Sequence, residues 1–235
     1  MIIGIITAPM SMLREKLATS PAYARVIPYF ILLFLTSFAQ DSLGESWRYW
    51  LYFAKMLVGG WCIYEMRDFV KEMRWAFSWE AVAVGVGIFG VWVFLDPFYP
   101  KNEVLMKVGD PWNPFKHYGE GSLLGWFFVA VRTFGSAIVV PPIEEAFYRS
   151  FLYRYLVKID FLGMPMNRMH GLSFAVTALI FGLVHYQWLA GVICGMAYQW
   201  LVIRKDRLGD AMTAHAITNF LLGIWVVWKD AWIFW

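Results

Sequence analysis

Stretches of close to twenty consecutive apolar residues recur along this chain, and that recurrence constrains its fold more than any other feature. Val26–Ala39, Trp47–Met66, Ala81–Phe98, Leu123–Val140, Leu172–His185, Trp188–Ile203 and Ala211–Trp228 are each long enough, or nearly so, to cross the hydrocarbon of a bilayer as a helix. The runs are continuously apolar rather than alternating, which selects helices over a β-barrel. Hydrophobic residues make up 60% of the chain and charged ones 16%, against roughly 45–50% and about 25% in a soluble domain. The excess needs lipid to face. The expected fold is all-α: a polytopic transmembrane helical bundle of about seven spans. It forms a single integral membrane domain over residues 1–235, with the fourth helix continuing past a kink at Pro141-Pro142 toward Leu156.

The connections divide by charge. With the N-terminus cytoplasmic, one side collects Arg14, Lys16, Arg67, Arg74, Arg154, Lys158, Arg204 and Lys205, and the other far fewer basic residues. The positive-inside rule favours that orientation, and a multi-pass protein of the cell membrane is expected. The apolar stretch from Met1 to Met12 precedes Arg14 and Lys16 instead of following them, so a cleaved secretory signal is not expected. Net charge of +3, spread over loops, is a topology signal and not a nucleic-acid one. Cys62 and Cys194 lie within apolar runs, where cysteine acts as a small hydrophobe. The mixed segment Arg67–Glu80 reads as an interfacial amphipathic helix. The external loop at 96–121 is a connector or a lid. Several of the fourteen tryptophans, Trp47, Trp188, Trp228 and Trp232 among them, sit near span ends, as an aromatic belt or as packing.

One stretch is short. Residues 171–203 must supply two crossings, and two full spans with a turn need roughly 40 residues. Either those helices are short or one is re-entrant, and irregular backbone at depth requires protein or a water-filled cavity beside it.

Ionisable residues inside spans are costly and mark functional candidates. In Pro141-Pro142-Ile143-Glu144-Glu145-Ala146-Phe147-Tyr148-Arg149 the prolines break or restart a helix and place both carboxylates in its first turn. Glu145 and Arg149, four apart, share a face and can pair, while Glu144 points about a quarter-turn away. The competing reading is an acidic first turn with a surface salt bridge. Phe181 and His185 lie on one face of a later span, where a lone histidine is as compatible with structure as with catalysis. His215 and Asn219 project together from the last span, and Asn219 can serve as cross-helix glue. A carboxylate in an apolar site moves toward the range of a general base, a histidine can share its proton, and His and Asn donors can hold an oxyanion. These are the parts for hydrolysis of an amide by activated water. Neither Ser150 nor Cys194 stands in a nucleophile motif. Gly191 and Gly195 read as a close-packing pair. Arg132, inside the fourth run, needs a partner the sequence does not name.

Taken in order, Glu144-Glu145-xxx-Arg149, Phe181-xxx-His185 and His215-xxx-Asn219 resemble the motifs of the CAAX-protease and bacteriocin-processing family of intramembrane proteases, over a core of about 122–228. The proline before the acidic pair and Phe147-Tyr148-Arg149 are similar as well. The resemblance implies an intramembrane endopeptidase, similar to the CAAX prenyl endopeptidases, in which Glu144 and His185 activate water and His215 and Asn219 stabilise the oxyanion. Glu145, Arg149 and Phe181 support them. It implies a peptide or protein substrate, lipid-modified or membrane-inserted forms included, met within the lipid bilayer, and no nucleic acid. No cofactor is required, although Glu144, His185 and His215 offer an alternative three-ligand zinc site. With full crossings, Glu144 and His185 fall toward opposite ends of their helices, so tilt or a helix break must level them. Two other functions use the same residues: a proton-coupled transporter, and a non-catalytic scaffold or immunity protein of the same fold.

Overall fold

The computed structural model describes residues 11–41, 45–103 and 110–235, and those residues contain helices and no strands. A helix forms at each of the seven apolar runs. These are α2 (Pro21–Asp41), α3 (Glu45–Met66), α4 (Trp79–Leu95), α6 (Leu123–Ile138) with its continuations, α9 (Gly171–Leu183), α10 (Trp188–Lys205) and α11 (Gly209–Lys229). Short helices α1 (Met12–Ala18) and α5 (Pro114–Tyr118) lie in the connections. Among the described residues three helices are long and apolar enough to cross a membrane by length and composition: Trp79–Phe98, Leu123–Tyr155 and Gly209–Lys229. Two more, Pro21–Thr36 and Gly171–Leu183, are apolar but shorter. The coarse expectation of apolar helices therefore holds, and three stand where about seven full spans were expected.

The stretch from Leu123 to Tyr155 is one 33-residue helical rod, with an internal change of winding. α6 stops at Val139, and α7 (Val140–Glu145) starts with Pro141 in its first positions, where a missing N–H costs least. From Ala146 to Leu152 the rod widens into a π-helix before closing as α8 (Tyr153–Tyr155). Ala146, Phe147, Tyr148, Arg149 and Ser150 are all buried in consecutive positions. A uniform surface helix would have turned some of them outward.

The other helices wrap that rod. α11 packs between α4 and α6, α2 lies along α3 and the π segment, and α9 pairs with α10. Small residues permit the α9–α10 approach, as the Gly191–Gly195 pair predicts. A Cβ added to Gly191 would sit 2.9 Å from the Gly182 Cα, and one on Gly195 would sit 3.0 Å from the Ala178 Cα.

Several connections are pinned by charge. The 67–78 segment is irregular chain, not the amphipathic helix expected from its composition. Its backbone is held by α11, where Thr213 Oγ1 donates to Ala76 O at 2.7 Å. Its Glu72 Oε1 accepts from Arg25 Nη2 at 2.6 Å, from Arg154 Nη2 at 3.2 Å and from the Ser150 hydroxyl. Burial pushes the Glu72 carboxyl up, but Arg25 and Ser150 outweigh it and hold its pKa below the ordinary carboxylate value. Cys62 and Cys194 are both free and buried. The loop after α4 is fastened to the end of α9: Asn102 N donates to Tyr186 O at 3.0 Å and Asn102 Nδ2 to Leu183 O at 2.8 Å. Within that loop, residues 104–109 lie outside the described residues.

Candidate active site

Tyr153 sits beside the start of α9, since its hydroxyl donates to Arg168 O at 2.8 Å and accepts from His170 N at 2.9 Å. From that shared end Glu144 lies about 14 Å along the rod and His185 about 21 Å along α9, at about 1.5 Å per residue. With 13 residues, α9 ends at Leu183, and His185 occupies the turn that leads into α10.

Glu145 is the most enclosed of the candidates, with 0% exposure. Its Oε1 lies 2.9 Å from His215 Nδ1, and its Oε2 lies 3.0 Å from Arg149 Nε. The second contact is an ion pair by distance, although neither atom is aligned as a hydrogen bond. Arg149 Nη2 also reaches Gly195 O at 3.4 Å. The i, i+4 pairing of Glu145 with Arg149 is the one expected from the sequence. The turn toward His215 is added by packing of α11 against α7.

Phe181 is the hub. Its ring lies 4.8 Å from that of His185 and 6.1 Å from that of His215, and the Arg149 guanidinium stands 4.4 Å over it. Tyr198 stacks on His215 at 5.2 Å, its hydroxyl donating to Thr218 Oγ1 at 2.8 Å, and Trp92 meets His185 edge-on at 5.5 Å. Sequence reasoning passed over Tyr198 and Trp92, since an aromatic in an apolar run carries no local signal. Tyr148 stood inside the first motif, and its hydroxyl lies 2.5 Å from that of Tyr29 on α2.

The tautomers follow from the partners. His185 Nδ1 lies 2.6 Å from Phe181 O, and a carbonyl only accepts, so Nδ1 carries the hydrogen and Nε2 keeps a lone pair when the ring is neutral. An ionised Glu145 imposes the same tautomer on His215.

Glu144 is treated differently from its neighbour. It is half-buried. Its Oε2 is buried with no hydrogen-bond partner, and it lies within electrostatic reach of His185, Tyr29 and Tyr148. Asn219 Nδ2 donates to Ser136 O at 2.9 Å, a cross-helix bond that ties α11 to α6 and uses one of the two amide hydrogens. Among the described residues no group of three or more His, Cys, Asp or Glu is arranged to hold a metal ion.

Residues 125–221 match the family described as type II CAAX prenyl endopeptidase Rce1-like. This core, under half of the chain, is similar to the CAAX protease family. Every residue discussed above from the three motifs lies within the matched segment. The matched family is one of peptidases, and the apolar helices suit a membrane protein. No curated protein and no solved structure matches the chain.

Proposed function

We propose that the chain is an intramembrane endopeptidase of the CAAX type in which Glu144 and His185 activate the attacking water. The observation that supports this reading most is the asymmetry of the acidic pair. Glu145 is committed to Arg149 and His215, while Glu144 Oε2 is buried, unpartnered and electrostatically coupled to His185.

Glu144 takes a proton from water as the water oxygen attacks the carbonyl carbon, and His185 Nε2 accepts the second water hydrogen. The Nδ1–H of His215 is held by Glu145. Protonated on both nitrogens, His215 donates from Nε2 to the developing oxyanion, joined by the remaining N–H of Asn219. The proton on Glu144 then passes to the leaving amine as the C–N bond breaks. Arg149 fixes Glu145, and Phe181 spaces the two imidazoles. Glu144 and Glu145 thus have separate duties set by environment.

The protein lies in the cell membrane as a multi-pass bundle, its Arg-rich end, with Arg74, Arg154 and Arg204, toward the cytoplasm. Purified protein in vesicles, given a farnesylated peptide ending Cys-aliphatic-aliphatic-X, tests the reading. Glu144→Gln and His185→Ala are each expected to lower kcat by at least about 10³-fold, which is more than a lost hydrogen bond accounts for. Full activity in Glu144→Gln would discredit it.

A further inference from the structure

Two cations inside the helices lack acidic partners. Arg132, on α6, makes no hydrogen bond and no ion pair with any described residue. Its guanidinium lies instead over three rings: Trp112 at 4.6 Å, Tyr52 at 4.7 Å and Trp235 at 5.6 Å. Lys55, on α3, donates to Thr36 Oγ1 at 2.6 Å and forms no ion pair with a described residue. It lies 5.5 Å from the same Tyr52 ring. Measured from one centroid, the separation of the two cations cannot exceed the sum of those two distances. Arg48 adds a third positive charge within electrostatic reach of Arg132, and its hydrogen bonds go to the backbone oxygens of Asp110 and Pro111 at 3.2 and 2.5 Å.

Like charges held together in an apolar setting repel, and ions within membrane helices are costly without a partner. Aromatic faces offset part of that cost. A carboxylate offers far more. The described anion within electrostatic reach of Lys55 is Glu144, the carboxylate assigned to water activation.

We propose that Lys55 and Arg132 form a carboxylate-reading site that receives the free C-terminus of the peptide cut at Glu144. This rests on the peptidase reading for the cut and on the unpaired cations for the site. Arg132 and Glu144 share one helical rod and lie about 18 Å apart along its axis. An extended peptide advances about 3.3–3.6 Å per residue. With the reach of the side chains subtracted, roughly three to five residues fit between the scissile bond and the carboxylate. The pair therefore selects short C-terminal tails and rejects internal bonds. A lipid phosphate carries similar charge, but Arg132 stands on the same rod as Glu144 and within reach of a short extended peptide.

The test uses the wild-type full chain in phosphatidylcholine nanodiscs. It is titrated with a fluorescent S-farnesyl tetrapeptide whose amide after the cysteine is replaced by a ketomethylene, so that nothing is cut. The free acid is expected to bind about 30-fold more tightly than the C-terminal amide, the worth of one charge-assisted hydrogen bond. Arg132→Gln and Lys55→Met are each expected to weaken the acid by about tenfold and to leave the amide within about twofold. Equal affinity of acid and amide for the wild type, including no binding of either, overturns the proposal without recourse to a variant. So does an equal loss for both forms in the variants. Erasure of the acid preference by a few per cent of phosphatidic acid would mark a headgroup site and overturn it as well. A preserved acid preference in a protein that cuts no peptide would refute the peptidase reading and leave the carboxylate site standing.

Discussion

Two ionic clusters hang from the same widened stretch of the long rod, and they are built to opposite standards. On one side Arg25, Glu72, Ser150 and Arg154 form a closed lock. Arg25 Nε donates to Ser150 Oγ at 2.7 Å, Arg154 Nη2 to the same oxygen at 2.8 Å, Arg25 Nη1 to Pro21 O at 2.7 Å and Arg154 Nε to Ser150 O at 2.5 Å. On the other side Glu145, Arg149 and His215 leave atoms unsatisfied. Arg149 Nη1 and Glu144 Oε2 are buried without hydrogen-bond partners. Buried polar groups are normally paired, and the exceptions demand a reason. The saturated cluster ties α2, the 67–78 segment and the rod together. The unsaturated one keeps donors and acceptors ready for a reacting group.

That contrast can be broken in three places. The largest expected effect on stability is at the junction of the active cluster. Glu145→Ala strands Arg149 at 1% exposure, and removing one member of a buried ion pair costs roughly 3–5 kcal/mol. Its thermal unfolding midpoint should fall accordingly, with cleavage lost as His215 is released. Next is the lock. Glu72→Gln leaves two buried arginines without their anion and should cost roughly 2–3 kcal/mol at neutral pH, while cleavage per folded molecule persists. The pH dependence has a definite sign. Glu72 has a depressed pKa, so its contribution is present above the unfolded value near 4.3 and is lost as pH falls through the folded value. Unfolding midpoints of wild type and Glu72→Gln should therefore differ at pH 7 and converge well below pH 4. The smallest expected effect on stability is at Glu144. Because its Oε2 is unpartnered, Glu144→Gln should shift stability by less than about 1 kcal/mol, even as it abolishes cleavage. A large destabilisation in that variant would mean that Glu144 belongs with the structural groups.

The sequence made some of this legible and hid the rest for physical reasons. Apolar run length located seven helices, because lipid-facing surface has to be encoded residue by residue. The i, i+4 spacing of Glu145 and Arg149 disclosed their pairing, and the spacing of Gly191 and Gly195 disclosed close helix contact, since both are local geometry. The π segment at Ala146–Leu152 has no local signature. Nor does the aromatic surround of Arg132, whose rings come from positions far apart in the chain. Asn219 satisfied the glue reading by bonding to Ser136 O, and the oxyanion role proposed for it must share that amide. Run length also overstated α9. An apolar run reaching His185 could not reveal that the helix ends at Leu183.

The widened winding has a consequence for how the rod is phased. Each i→i+5 bond takes in one residue more than an α-helical bond does, and one residue is worth about 100° of azimuth. The half of the rod that carries the acidic pair is thereby rotated relative to the half that carries Arg154. Excising a single residue between Ala146 and Leu152 would let six residues wound as α-helix cover about the same rotation as the seven do now, so the acidic pair and Arg154 would keep their relative facing while the wide turn between them is lost.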